Sequence, residues 1–409
     1  MNVANDHCCG LDIHKKTISA CAIVPGPVGA PQKTIRQFGT MTDDLEALAD
    51  WLTALGVTHV AMESTGIFWK PIYNVLEDRF TLLLANARYI KSVPGRKTDI
   101  RDSEWIADCH RHGLLKASFV PDRAQREVRE LTRYRTSLVD ERSAEVNRLQ
   151  KTLEGANIKL SSVASDVLGK SGREMVEELV AGNKDRAAMA DLAKGTLRNK
   201  IPQLERALAG QFGPHQRFLV AQQLAHIDAL DEILARLDAE VAERARPLEG
   251  AIELLDTIPG FGRRNAENLL AEIGPDMSRF PTAHHLASWA RMCPGMEESA
   301  GKRKSGVTGH GNPWLRRLLV EAAHAAGHSK TYLGAQYHRL SGRRGKKKAA
   351  VAVGHSQLVI AWHMLKMPAP YADLGPNYFD ERSADRLERR LVGRLNRLGY
   401  EVVLKRKAA

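Results

Sequence analysis

The sequence is poor in the features that mark secreted, disulfide-bonded and membrane-spanning proteins. It has five cysteines in 409 residues, an odd number without a CxxC pair, so neither a disulfide framework nor a zinc ribbon is predicted. It lacks any run of about 18 apolar residues, and we expect no transmembrane helix. Residues 1–6 lack a basic stretch followed by an apolar one, which argues against secretion. These absences predict a cytoplasmic protein without a membrane partner.

The charge of the chain is strongly positive. There are 60 lysines and arginines against 48 aspartates and glutamates, a formal net charge of +12. This balance favours a polyanionic partner. Nucleic acid is the commonest one, although an anionic membrane surface would also satisfy it. At 409 residues the chain is too long for one ordinary hydrophobic core, so two or three domains are expected.

Hydrophobic patterning divides the chain into four segments. Residues 1–120 show three strands and then alternating helix and strand, which predicts an α/β domain with a mixed sheet. Residues 121–247 are predicted to be helical. Within them, apolar residues at 224–241 recur every three or four positions, a seam that suits an antiparallel hairpin or a coiled coil between chains. Residues 248–375 are predicted to form a mainly helical unit, and residues 376–409 a basic tail with a short amphipathic helix.

Four carboxylates have the order expected of a metal site. Asp12 interrupts one apolar strand and Glu63 ends another, and strand ends on one sheet can bring such residues together. Asp99 and Asp102 are three residues apart, so they share a face if a helix begins there. Four clustered carboxylates repel each other, and two Mg²⁺ ions about 4 Å apart would neutralise them and clamp a phosphodiester. Taken singly, each acid is more often solvated or a helix cap.

The mainly helical unit contains two candidate phosphate-binding segments. Residues 257–262 form a glycine-rich turn before a predicted helix, and they resemble a helix-hairpin-helix element that grips a nucleic-acid backbone. Residues 298–312 are rich in glycine, serine and basic residues, which predicts a flexible loop beside a polyanion. From these residues alone, a phosphate-binding loop with solvated serines is favoured over a serine nucleophile. The candidate nucleic-acid-binding residues are Arg263, Arg264, Lys302, Arg303, Lys304, Arg316 and Arg317.

Four segments of the chain resemble the DEDD transposases of the insertion-sequence 110/1111 family, also called bridge-RNA-guided recombinases. The segments are residues 10–12, 62–66, 86–87 and 97–102. The resemblance implies that the first domain is RNase H-like and similar to the Holliday-junction resolvase RuvC. It further implies that two Mg²⁺ ions, with Mn²⁺ as a substitute, are bound by Asp12, Glu63, Asp99 and Asp102.

The same resemblance reverses the interpretation of the serines. In this family a serine that follows an acidic residue is the nucleophile, which implies Ser299 after Glu298. Ser305 is the rival, because the loop differs in length and composition from that of other members. The implied mechanism is strand cleavage through a covalent phosphoserine and strand exchange without free ends.

The resemblance also implies partners and a location. The partners are donor and target DNA and a structured guide RNA, and the location is the nucleoid of a bacterial cytoplasm. The helical region is expected to join the chain into a homodimer or homotetramer. Residues 160–210 and the tail beyond residue 375 match the family poorly, and their roles stay open.

Two other functions are compatible with the residues. One is a RuvC-like, metal-dependent junction nuclease in which water replaces the serine. The other is a nucleic-acid-binding protein without catalysis. The four intact acids argue against the second, because drift has no reason to spare them.

Overall fold

The computed structural model describes residues 3–27, 30–64, 66–87, 90, 93, 102–294, 297–299, 302–305, 308–309 and 311–404. The chain forms two compact units, Met1–Pro121 and Asp122–Ala409. The second unit contains the segments predicted at 121–247, 248–375 and 376–409. No helix in the described part of the chain is long and apolar enough to cross a bilayer.

The first unit is an α/β domain with a mixed sheet, as the sequence predicts. Its strands are ordered β3-β2-β1-β4-β5. The pairs β1–β2 and β2–β3 are antiparallel, whereas β1–β4 and β4–β5 are parallel. The strands are β1 Cys8–Ile13, β2 Ile18–Pro25, β3 Pro31–Phe38, β4 His59–Glu63 and β5 Thr81–Ala85, and the helices are α1 Thr42–Ala54, α2 Trp69–Leu76 and α3 Asp102–Arg111.

The two faces of this sheet are covered by different helices. On one face, apolar side chains such as Leu11 and Met62 form a core with Leu48 of α1 and Ile72 of α2. Strand side chains alternate between faces, so the neighbouring residues of β1 and β4 face α3. There Gly10 allows α3 to approach closely, since a Cβ on this residue would lie 2.3 Å from the backbone nitrogen of Ala107. The glycine therefore permits α3 to pack directly on β1.

The second unit begins with two long helices that pack against each other. These are α4 Arg123–Gly155 and α8 Pro214–Ala245. Arg135 of α4 pairs with Asp238 of α8. Arg142, two turns further along α4, pairs with Asp231, which comes earlier in α8, so the two helices run antiparallel. Leu138, Leu230 and Leu234 are buried between them. The apolar seam predicted at 224–241 is thus filled within the chain, and it carries no argument for a second copy.

Residues 160–210 form a small helical cluster. Helices α5 Lys170–Ala181, α6 Arg186–Asp191 and α7 Ile201–Ala207 share one hydrophobic core with the adjoining ends of α4 and α8. Leu149, Leu160 and Leu204 are fully buried in that core. The irregular sequence pattern of this stretch reflects short helices, since short 3₁₀ turns at Leu160–Ser162 and Gly195–Lys200 interrupt the period.

The remaining helices form the rest of the second unit. Trp362 donates its indole N–H to the carbonyl of Phe280 at 2.9 Å, and Gln357 donates to the carbonyl of Pro259 at 3.0 Å. The predicted tail helix is present, and Leu391 and Leu395 of its apolar stripe are exposed. The elements are α9 Glu249–Asp256, α10 Arg263–Ile273, α11 Ala283–Trp289, β6 Glu297–Ser299, β7 Lys302–Ser305, α12 Pro313–Ala326, α13 Tyr332–Arg344, α14 Lys346–Lys366, α15 Tyr378–Glu381 and α16 Ala384–Arg397.

Candidate active site

Asp12 and Glu63 occupy equivalent positions on neighbouring parallel strands. Leu11 of β1 pairs with Met62 of β4, and the two acids are the next residues along each strand. Because side chains alternate along a strand, Asp12 and Glu63 both belong to the face shared by Gly10 and Ala61. This is the face that α3 covers.

Asp102 begins α3 at the same end of the sheet. The next residue, Ser103, forms a 3.0 Å hydrogen bond with the hydroxyl of Ser19. Ser19 is the register partner of Asp12 on β2. The first turn of α3 therefore lies beside Asp12, and three of the four predicted acids belong to one end of one face.

The electrostatics of Asp12 agree with this placement. Its side chain is 24% exposed, and the imidazole Nε2 of His14 lies 3.4 Å from its Oδ2. Burial raises the pKa of Asp12 above its ordinary value, and the negative charges of Asp102 and Glu63 raise it further, whereas His14 opposes the shift. A cation at this position would relieve the repulsion among the acids.

The donor set fits a hard divalent cation in its chemistry. Carboxylate oxygens are the ligands that Mg²⁺ and Mn²⁺ prefer. Among the described residues, no three His, Cys, Asp or Glu side chains are close enough together to hold one ion. The fourth predicted ligand, Asp99, lies outside the described residues. The three acids thus share an electrostatic neighbourhood without forming a closed ligand cage, and the four-acid site stays a prediction.

Ser299 is the last residue of β6, the first strand of a short β-hairpin. β6 and β7 are antiparallel, with Ser299 paired to Lys302 and Glu298 to Arg303. The sequence predicted a flexible loop here, and that expectation is wrong for the two paired strands.

The hairpin lies within residues 291–309, called the hairpin segment below, and Arg316 of α12 holds the two ends of this segment together. One Nη donates to the carbonyl of Arg291 at 3.0 Å and to the carbonyl of Gly309 at 2.6 Å. Gly311 adds a close backbone approach, because a Cβ there would lie 2.4 Å from the carbonyl oxygen of Ala290. Arg316 therefore closes the base of the segment that carries Ser299, and its predicted binding of nucleic acid stays a prediction.

The other described arginines of that prediction already have carboxylate partners. Arg263 is paired with Glu249 and Glu267. Arg264 lies 2.5 Å from a carboxylate oxygen of Asp238. Arg317 contacts Asp140 at 2.5 Å and Glu321 at 2.8 Å. Nothing is described of the side chains of Lys302, Arg303 and Lys304. The glycine-rich turn also has a packing role, since a Cβ on Gly260 would lie 2.1 Å from the carbonyl oxygen of Ala322.

Two family models match the chain. A model of DEDD transposases of the IS110 type, described as "Transposase", matches residues 9–158 and so spans the four acids. A second, described as "Transposase IS116/IS110/IS902 family", matches residues 252–339 and spans Ser299. The chain belongs to the IS110 family of transposases. It is accordingly a DNA recombination enzyme, and DNA is its partner.

Curated relatives agree with this assignment. The chain is 24% identical to the "Probable family 20 transposase" of Pseudomonas aeruginosa over 328 residues, which cover 79% of the chain and 88% of that protein. It is 24% identical over 290 residues to the transposase for insertion sequence element IS1111A of Coxiella burnetii, covering 69% and 70%. It is 29% identical to a pilin gene-inverting protein of Moraxella bovis over 122 residues, covering 29% and 38%.

Sequence reasoning missed a buried ion cluster in the second unit of the transposase. Glu272 is 4% exposed, and both of its oxygens accept from Arg133, at 2.7 and 2.8 Å. Asn312, which caps the first turn of α12, donates to the same carboxylate at 2.5 Å. Arg129 lies 3.5 Å away and donates to the backbone of Ala271 at 3.0 Å. The sequence feature that could have indicated this cluster is the presence of a glutamate, Glu272, within the apolar run 269–273.

The cluster joins α4, α10 and α12. Burial lowers the pKa of Arg129 to about 10, which leaves it protonated at neutral pH. An uncompensated buried charge is strongly unfavourable, so this cluster should fix how the three helices pack. Through Asn312 it also fixes the start of α12, which follows the hairpin segment.

Glu272→Ala should therefore destabilise the protein by about 3–5 kcal/mol, because it leaves two arginines without their carboxylate. The matched control is Glu240→Ala, which breaks an exposed pair with Arg244 and should cost less than about 1 kcal/mol. Urea unfolding followed by helical circular dichroism measures both. Equal midpoints for the two variants would contradict a stabilising role for the cluster.

Proposed function

We propose that this transposase cuts and rejoins DNA by metal-dependent chemistry in which Ser299 is the nucleophile. Asp12, Glu63, Asp99 and Asp102 would hold two Mg²⁺ ions. The observation that carries the proposal is the equivalent placement of Asp12 and Glu63 on adjacent parallel strands. We also propose that the first unit is RNase H-like and similar to RuvC, which its strand order supports.

The acids and the bound ions have distinct tasks in this proposal. When bound, Mg²⁺ neutralises charge that develops on the phosphodiester and lowers the barrier to forming an alkoxide nucleophile. The carboxylates of the chain hold and orient the ions. α3, which packs closely on β1 at Gly10, keeps Asp102 at the Asp12 end of the sheet.

The proposed serine step conserves the phosphodiester bond. The Oγ of Ser299 attacks phosphorus and loses its proton, while the bond from phosphorus to the deoxyribose oxygen of the leaving strand breaks. That oxygen takes up a proton. One phosphoester bond forms for each that breaks, so the reverse attack by a strand end can reseal the DNA without an external energy source.

Rejoining is favoured over simple cleavage by the similarity to the pilin gene-inverting protein of Moraxella bovis. Inversion of a gene requires that every cut end be joined again, which hydrolysis by water does not accomplish. This similarity covers 29% of the chain. It is the observation that ranks a recombinase above the junction nuclease.

A structured guide RNA is proposed as a second nucleic-acid partner. The net charge of +12 supports binding of polyanions in general. The family resemblance adds the expectation of pairing between an RNA and both DNA sites. Preference for one structured RNA over random duplex RNA would separate this role from generic binding.

The test is a cleavage assay with the full chain. The substrates are labelled DNA from the flanks of its own gene and RNA transcribed from those flanks. With Mg²⁺ we expect cleaved strands that stay attached to the protein after denaturation, and EDTA should abolish both products. Free ends without an attached protein would favour the junction nuclease. DNA binding without any cleavage would favour the non-catalytic alternative.

A further inference from the structure

A groove of about 720 Å³ in the second unit is lined by arginines from two helices. Arg339 and Arg343 are four residues apart on α13, and Arg386 and Arg390 are four residues apart on α16. In each pair the side chains lie one helical turn apart on the same face. All four are exposed, and Asp380 is the one carboxylate among the described residues that line the groove.

The groove is held in shape by an aromatic cluster. Tyr332 of α13 stacks on Phe379 of α15, with ring centroids 5.1 Å apart and planes 21° apart. It also meets the ring of Tyr378 edge-on at 5.1 Å. Arg339 lies 4.9 Å above the Phe379 ring. These contacts seat α15 on α13, and α16 follows after two residues, so the arginines of the two helices line one groove.

The four groove arginines differ from those that the sequence singled out. Among the described residues, none of the four forms an ion pair with a carboxylate. Arg263, Arg264 and Arg317, by contrast, are each paired with an acid. Four guanidinium groups around one groove repel each other, and an anion in the groove would relieve that repulsion. The positive charge of the groove is therefore available to an anion, whereas each paired arginine would have to break an ion pair before it could bind one.

We propose that this groove, which we name the arginine groove, binds the phosphate backbone of duplex DNA. Guanidinium groups bind phosphate oxygens in bidentate fashion, and a row of them follows a backbone without reading sequence. The proposal rests on the assignment of the chain as a DNA transposase. It adds a binding site on α13 and α16, the second of which belongs to the tail that matches the family poorly.

The aromatic cluster favours duplex DNA over unpaired bases. Proteins that bind single strands or RNA loops stack the bases on exposed aromatic rings. In the arginine groove the ring of Phe379 is already stacked on Tyr332 and covered by Arg339. The ring of Phe379 is therefore not free to stack on a base, and a ligand would bind to the groove through the arginine charges.

The test compares two double variants of the full chain that remove the same charge from α16. The double variant Arg386→Gln with Arg390→Gln removes the two positive charges of α16 that line the groove. The control is Arg389→Gln with Arg397→Gln, since both of these side chains donate to carbonyls of their own helix and neither lines the groove. Affinity for duplex DNA, single-stranded DNA and structured RNA is measured over a series of salt concentrations.

The groove variant should bind duplex DNA about tenfold more weakly than the control. Its slope of log affinity against log salt should be shallower by about 1.8, or roughly 0.9 for each lost phosphate contact. Equal affinities and slopes for the two variants would overturn the proposal, as would a loss confined to structured RNA or single strands. If the unaltered chain did not bind duplex DNA, the proposed transposase chemistry would be wrong as well. If it bound duplex DNA and the groove variant bound as tightly as the control, only the groove proposal would be wrong.

Discussion

Asp12→Asn should lower the rate of DNA cleavage about 10³-fold, which corresponds to roughly 4 kcal/mol of lost transition-state stabilisation. Asp12 is the most central of the described acids, because Glu63 continues the adjacent strand in register and α3 begins beside it. An amide at this position removes one anionic ligand from the proposed ion pair. DNA affinity should change less than about twofold, since phosphate contacts elsewhere dominate binding.

A second readout tests the metal site without relying on activity. In the absence of Mg²⁺, Asp12→Asn should be no less stable than the unaltered chain, because it removes one of several mutually repelling charges. Added Mg²⁺ should raise the melting temperature of the unaltered chain and not that of the variant, since an ion stabilises the state that binds it.

The matched control is Glu46→Gln, which makes the same charge change on an exposed position of α1. It should retain full cleavage and the full response to Mg²⁺. Cleavage by Asp12→Asn at the rate of this control would remove the proposed role of the acids.

The first unit was predictable because its elements are set by local periodicity. The first helix of the predicted order, after three strands, is α1, Thr42–Ala54, and its buried leucines are spaced for one face. The strand that Glu63 was predicted to end is β4, His59–Glu63. Acids at strand ends could be placed for the same reason. Their common face could not be read from the sequence, because it depends on the β1–β4 register and on α3 packing over Gly10.

The basic residues of the second unit were less predictable because their partners are distant in sequence. Arg317 pairs with Asp140, 177 positions away, and Arg133 with Glu272, 139 positions away. Clusters of arginine on a helix look alike whether tertiary packing supplies a carboxylate or not. The arginine groove and the paired arginines at the α9–α10 turn therefore differ in three dimensions and not in local pattern.

The hairpin around Ser299 shows a third limit of prediction from the sequence. Glycine, serine and basic residues predict a loop, and they are also compatible with two short paired strands. The base of the segment is closed by Arg316, which binds two carbonyls that lie 18 positions apart in sequence. The sequence predicts this arginine as a phosphate ligand, and it does not reveal that the side chain also joins two distant parts of the backbone.

Ser299→Ala should abolish the covalent protein–DNA adduct and strand exchange, a loss of about 10³-fold or more. The alcohol has an ordinary pKa far above neutrality, so the proposal requires that bound metal or a base activate it. Alanine removes the Oγ of Ser299, the atom that would form the phosphoester, and is not expected to alter the backbone of β6. Binding of DNA and RNA should therefore persist.

Ser305→Ala is the matched control, because Ser305 ends β7 in the same hairpin and is the rival nucleophile. If Ser299 is the nucleophile, this variant keeps the adduct, and peptide mapping of denatured adduct finds the nucleotide on Ser299. An adduct on Ser305 would move the role six residues along the chain. Cleavage by Ser299→Ala that still depends on Asp12 and yields free ends would assign the attack to water, and the junction nuclease would then be the better description. A covalent ester between serine and DNA keeps the bond energy that rejoining needs, whereas hydrolysis by water loses it, so the adduct distinguishes strand exchange through Ser299 from hydrolytic cleavage.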